Sequence, residues 1–109
     1  MKQGEIWQAR LDPVEGREQS GIRPVLIISG EPVNEYTDLV IICPMTTSIK
    51  QIKKCIILEP TPHNNLKHDS QLLPFQIRAL SKDRLIKYIG AVDDSTIEHL
   101  ISDLIYFLS

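Results

Sequence analysis

A chain of 109 residues, 42% apolar and 24% charged, has room for one domain with one modest core and not for two. Its formal net charge of −2 excludes a chain that is basic throughout, as a general nucleic-acid binder would be. No segment approaches the roughly 18 apolar residues of a membrane span. The start, MKQGEIWQARLDP, holds no apolar run of signal-peptide length, so a single cytoplasmic domain over 1–109 with no membrane partner is expected.

In chain order, GEIWQARL (4–11) alternates as a strand does, and Asp12-Pro13 ends it. Residues 12–22 form a polar loop containing Gly16 and Gly21. RPVLIIS (23–29) and DLVIICPMT (38–46) are short continuous apolar runs rich in β-branched residues. That is the pattern of strands buried on both faces or facing a barrel core. KKCIILEP (53–60) predicts another strand, closed by Pro60 and Pro62, and 60–70 is loop. SQLLP (70–74) and QIRALS (76–81) are strand segments broken around Pro74, which has no N–H for a central ladder. Ser81 and the KDRL after it suggest one helical turn, and IKYIGAV (86–92) a last strand.

Ser95-Thr96-Ile97-Glu98 has the capping-box pattern, and Asp93 and Asp94 suit the positive end of a helix dipole. Ile97, Leu100, Ile101, Leu104, Ile105 and Leu108 recur at helical spacing, which predicts an amphipathic helix over 94–108. About six short strands without crossover helices, then one terminal helix, predict an α+β fold: a small β-barrel with a helix packed on it. Cys43 and Cys55 fall in predicted strands and read as reduced, buried thiols rather than a bridge or metal pair.

Charge is unevenly distributed. Residues 47–90 hold eight Lys/Arg against three acids, a net of +5, whereas 91–109 hold four acids and no base. One basic face and one acidic element follow from this, unless the clustering is simply a solvated surface.

Arg23 stands directly before Pro24, which biases its predecessor to extended geometry and so holds the guanidinium at a strand's first residue. Gly16 and Gly21 let the preceding loop turn sharply or approach another backbone. PMTTS (44–48) places three hydroxyls, Thr46, Thr47 and Ser48, after Pro44. If strands 23–29 and 38–46 are neighbours, the guanidinium and hydroxyls meet at one rim. A guanidinium stays protonated and presents a planar fork of donors matched to phosphate, and threonine offers a neutral donor to a developing oxyanion. The pair suits a phosphodiester; a structural arginine accounts for the same residues. No HExxH, Walker or GxGxxG sequence is present.

Other polar residues carry two readings each. His63 and His68 form an acid–base pair or are separate loop histidines. Ser48, Lys50, Lys53 and Lys54 form an RNA backbone track or a solvated strand end. Trp7 and Phe75 suit base stacking, with core or dimer packing the favoured reading for Trp7.

Three stretches in order, GEIWQARLDPVEGREQSGIRPVLIIS (4–29), ICPMTTSI (42–49) and DSQLLPFQIRALSKDRL (69–85), resemble the MazF/PemK family of toxin endoribonucleases. These are the RNA-cleaving half of bacterial type II toxin–antitoxin pairs. Gly16, Glu18, Gly21, Arg23 and Pro24 carry the most recognisable part. The resemblance implies an SH3-like barrel with a C-terminal helix, a homodimer and a cognate antitoxin. It also implies sequence-specific cleavage of single-stranded mRNA with no metal or cofactor, the ribose 2′-OH attacking the adjacent phosphate to leave cyclic phosphate and 5′-OH ends.

By the same resemblance, Arg23 and Thr46 take the catalytic places. Arg17, Glu18, Gln19, Thr47, Ser48, Ser70 and Gln76 fall in segments that hold RNA. Arg17 stands where relatives commonly have a small polar residue. Phe75 stands where some carry a catalytic carboxylate, so that version of the mechanism is not expected here. A relative's antitoxin lays an acidic tail over the site, which the basic middle segment would attract. A non-enzymatic gyrase poison of the CcdB type, or a barrel that binds RNA or a peptide without cutting, remain the alternatives.

Overall fold

The structure is a computed structural model, and its description covers residues 1–11, 21–52 and 55–109. The elements are β1 (Glu5–Arg10), β2 (Ile22–Ile27), α1 (Glu31–Tyr36), β3 (Leu39–Thr46), β4 (Ile57–Leu58), β5 (Ser70–Leu72), β6 (Arg78–Ser81), β7 (Leu85–Ala91) and α2 (Asp94–Phe107). Short 3-10 turns cover Pro74–Gln76 and Lys82–Arg84. The strands form one seven-stranded antiparallel sheet in the order β4-β5-β3-β2-β1-β7, with β6 also on β3. It curls into a half-barrel with α2 packed on it, the expected α+β architecture. No described helix is long and apolar enough to cross a membrane.

The continuous apolar runs have the predicted cause: β2 and β3 are buried on both faces. Leu26, Ile28, Cys43 and Met45 point into one cluster with Ile6, Leu72, Ile97 and Leu100. Val25, Ile27, Val40 and Ile42 point into the other with Ala9, Leu11, Leu80 and Leu85. The helix covers the first cluster. Leu80 of β6 and Leu85 of β7 complete the second.

Gly21 sits at φ +73° with open space where a Cβ would lie, so it is backbone conformation that requires glycine there. The Leu11 N–H donates to the Gly21 carbonyl at 2.9 Å and closes the base of the β1–β2 connection.

Four sequence expectations change. Of the strand expected over 53–60, residues 53 and 54 lie outside the described residues, and the described part pairs only at Ile57–Leu58, with Cys55 before it. A short helix, α1, follows β2 where no element was predicted; Pro32 in its first turn has no N–H to leave unpaired. The α2 cap is Asp93 rather than Ser95: its carboxylate accepts the Thr96 N–H at 3.0 Å and the Ser95 and Thr96 hydroxyls at 3.1 and 2.6 Å. Finally, the helix buries Ile97, Leu100 and Asp103, whereas Ile101, Ile105 and Leu108 are exposed. The core takes one narrow stripe. Asp103 lies in that stripe, 3% exposed, with Oδ2 lacking a hydrogen bond and 3.7 Å from His99 Nε2.

Candidate active site and the groove beside it

Arg23 and Thr46 reach one cavity because of the β2–β3 register. Val25 pairs with Pro44, Leu26 with Cys43 and Ile27 with Ile42. Carrying that antiparallel register past the last pair sets Arg23 across from Thr46. Pro24 has no N–H to offer across to Met45, and Pro44 turns its carbonyl to the Leu73 N–H at 2.9 Å instead, so β2 and β3 stop pairing with each other before Arg23 and Thr46.

The shared cavity holds about 340 Å³ and is also lined by Thr47, Ser48, Lys50, Ile52, Gln71, Leu73, Phe75 and Gln76. Five of the residues singled out as catalytic or RNA-binding therefore converge: Arg23, Thr46, Thr47, Ser48 and Gln76. Ser70 does not join them. It is buried and lines a neighbouring cavity of about 410 Å³, which shares Thr47 with the first. Arg17, Glu18, Gln19, Lys53 and Lys54 lie outside the described residues. His68 lines the second cavity; His63 lines neither, and its carbonyl accepts the Ala91 N–H at 3.1 Å.

Each group in the first cavity is held by its neighbours. The Ser48 N–H donates to Thr46 Oγ1 at 3.1 Å, which occupies a lone pair and leaves the hydroxyl hydrogen to donate elsewhere. Opposite Thr46 in the β3–β5 pairing stands Gln71, 1% exposed. Its Oε1 accepts the Lys50 N–H at 2.8 Å, and its Nε2 donates to the Lys50 carbonyl at 2.9 Å. This reciprocal pair ties the turn after β3 to β5. Sequence reasoning missed Gln71. The available signal was an amide inside the apolar run SQLL, since a buried polar group must find a partner.

Phe75 forms another wall. Its half-exposed ring meets Phe107 of α2 edge-on, with centroids 5.8 Å apart at 62°. The last turn of the terminal helix thus supports the cavity.

Arg23 and Lys50 are the cations at this cavity, and no carboxylate lines it among the described residues. Its potential suits an anion. Among the described residues no three His, Cys, Asp or Glu side chains are placed to hold a metal ion. The cysteines are free thiols outside the cavity. Burial pushes Cys43 up to about 12, and burial followed by the Asp103 carboxylate raises Cys55, so neither is a ready thiolate.

A curled antiparallel sheet braced by a C-terminal helix, with an arginine and a hydroxyl on one cavity at its rim, defines a small barrel-like protein with a cationic, hydroxyl-lined cleft. Residues 2–108 match the family described as PemK-like, MazF-like toxin of type II toxin-antitoxin system. The chain is 35% identical over 102 residues to "Endoribonuclease MazF" of Staphylococcus saprophyticus, covering 92% of this chain and 84% of that protein. It is 33% identical over 99 residues to "Endoribonuclease EndoA" of Bacillus subtilis, covering 90% and 85%. Its fold is similar to that of MazF from Deinococcus radiodurans, with a TM-score of 0.84 at 24% identity over 99% of this chain and 96% of that one. It is also similar to an endoribonuclease in complex with its cognate antitoxin from Mycobacterial species, with a TM-score of 0.80 at 24% identity over 99% and 94%. The chain belongs to the PemK-like, MazF-like toxin family.

Proposed function

We propose that this protein is a sequence-specific endoribonuclease that cleaves single-stranded mRNA without a metal. It is the toxin of a type II toxin–antitoxin pair, acts in the cytoplasm as a homodimer and is inhibited by a cognate antitoxin. The observation that carries this reading is the single cavity in which Arg23 and Thr46 meet. Two relatives at 33–35% identity bear the name endoribonuclease, which supports RNA cleavage over gyrase poisoning. The similar mycobacterial endoribonuclease in complex with its antitoxin supports the inhibitory partner.

In the proposed reaction the ribose 2′-oxygen forms a bond to phosphorus, the P–O5′ bond breaks, and a proton passes to the leaving 5′-oxygen. Arg23 neutralises charge on the non-bridging oxygens and is the proposed donor of the proton that the leaving 5′-oxygen takes up. The Thr46 hydroxyl, whose oxygen already accepts from Ser48, donates to the same oxygens. A guanidinium, with a reference pKa of roughly 12.5–13.8, does not serve as the base. Glu18, the carboxylate nearest in sequence, is the candidate acceptor of the 2′-OH proton. Much of the acceleration comes from positioning and from donors aimed at developing charge.

Incubating the purified protein with mixed-sequence single-stranded RNA in EDTA, then mapping the ends, tests this. Discrete cuts bearing cyclic phosphate are expected; intact RNA overturns the proposal. Arg23→Ala and Thr46→Val are each expected to lower kcat by about 10²-fold or more, the usual effect of removing one oxyanion donor, with the circular dichroism spectrum unchanged. Wild-type turnover in either variant removes that residue from the mechanism.

A further inference from the structure

One short segment supplies Gln71, Leu73, Phe75 and Gln76 to the wall of the Arg23/Thr46 cavity. Its first half is pinned from both sides. Gln71 grips the Lys50 backbone, the Leu72 N–H donates to the Ile56 carbonyl at 2.9 Å, and the Leu73 N–H donates to the Pro44 carbonyl at 2.9 Å. The second half leaves the sheet at Pro74, which has no N–H for a ladder, and runs on as the 3-10 turn Pro74–Gln76. That turn has no side-chain cap at its start. It closes on itself, through the Gln76 N–H to the Leu73 carbonyl at 3.0 Å and the Ile77 N–H to the Pro74 carbonyl at 3.4 Å. Hydrogen-bond geometry in a 3-10 turn is poor, so such a turn needs outside support to hold one position.

Phe107 is placed to give that support. Its partly buried ring meets Phe75 edge-on with centroids 5.8 Å apart, and meets Tyr106 edge-on at 5.4 Å. An edge-to-face pair sets the tilt of one ring against the other, which an aliphatic side chain does not do. The helical turn that carries Phe107 is itself held. The Leu108 N–H donates to the Leu104 carbonyl at 3.0 Å, and the Ser109 hydroxyl donates to the Ile105 carbonyl at 2.6 Å. Nearer its start, α2 is anchored in the core by Ile97 and Leu100.

We infer that Phe107 is a positioning residue for RNA cleavage: through Phe75 it fixes the turn that brings Gln76 to the cavity wall. The inference rests on the nuclease reading above. Arg23 and Thr46 are carried by β2 and β3, whose pairing does not involve α2. Loss of the Phe107 ring therefore acts on substrate binding and spares the chemical step.

The test uses the full-length protein. Phe107→Leu keeps apolar bulk without the ring, and should raise KM for single-stranded RNA about fivefold with kcat within about twofold of wild type. Phe107→Tyr restores the ring and should bring KM back to within about twofold. Phe75→Leu should raise KM as well, and adding Phe107→Leu to it should cost little more, because both changes break one contact. Hydrogen exchange reads the turn without RNA: the Gln76 and Ile77 amides should exchange about fivefold faster in Phe107→Leu, with the Leu73 amide unchanged. Unchanged KM in Phe107→Leu, an equal rise in Phe107→Tyr, additive effects in the double variant, or unchanged exchange at Gln76 and Ile77 overturns the inference. A wild type that cuts no RNA overturns the nuclease reading itself, and exchange then decides by itself whether Phe107 holds the turn.

Discussion

Gln71 decides whether the turn behind Thr46 keeps its shape. It is buried on β5, the strand between β3 and β4, and both ends of its amide are bonded to the Lys50 backbone. Gln71→Leu keeps similar bulk and leaves the Lys50 N–H and carbonyl without that partner. The expected cost is about 1–3 kcal/mol, read as a lower urea midpoint with an unchanged slope. RNA cleavage should lose affinity as well, because Thr47, Ser48 and Lys50 are carried on that turn; unchanged KM and midpoint would count against this role. Arg23 was legible in the sequence because Pro24 constrains its backbone whatever lies around it. Gln71 was not, since an amide in an apolar run reads equally as a surface residue or as a buried, bonded one until its partner is known.

Among the elements, α2 and β7 show how far local pattern reaches. Helical spacing predicted α2, but the choice of cap between Asp93 and Ser95 rested on where the chain leaves β7. Bonds from the Thr96 hydroxyl and N–H, then the Ser95 hydroxyl, hold the Asp93 carboxyl below its ordinary range. Its folded value therefore lies below its unfolded one. The contribution is fully present above the unfolded value and is lost as pH falls through the folded one. Wild type should accordingly lose thermal stability more steeply below about pH 4 than Asp93→Asn, which keeps a good capping residue that does not titrate. Parallel acid profiles would refute the assignment.

In β7, Gly90 has a role that its own strand did not disclose. A Cβ there would lie 2.4 Å from the Asn64 carbonyl oxygen, because the 61–66 loop rests directly on the strand and the Ala91 N–H donates to the His63 carbonyl at 3.1 Å. Backbone in contact with backbone cannot yield as a flexible side chain does. Gly90→Ala should push that loop, and Asn65 with it, off the second cavity. The expected result is a lower urea midpoint with RNA cleavage retained; an unchanged midpoint would show that the loop adapts.

Over the whole molecule, a net charge of −2 hides a local arrangement of opposite sign. Arg23, Lys50, Lys67 and Lys87 line the two adjoining cavities, while the four acids of residues 91–109 sit on or beside the terminal helix. Binding of an uncleavable single-stranded RNA should weaken with salt, with a log–log slope of about −0.7 for each phosphate contacted and about −3 if all four cations engage one. Removing Lys87 should lessen that slope by about 0.7. A slope near zero would mean that the cations do not meet the backbone. The same field suits the acidic antitoxin segment proposed as inhibitor, so its binding should share the salt sensitivity.

By itself the sequence determined what depends on near neighbours: strands from apolar runs, breaks at prolines, a helix from its spacing, and an arginine held extended before Pro24. Family resemblance added the roles those residues play. Only the tertiary structure decided what meets what. The β2–β3 register set Arg23 across from Thr46, β5 brought Gln71 to Lys50, and Thr47 became the wall between two cavities. The division has a physical cause. Secondary structure answers to contacts within a turn or a pleat, whereas a site is made by strands whose pairing is selected by burying both faces of the sheet at once.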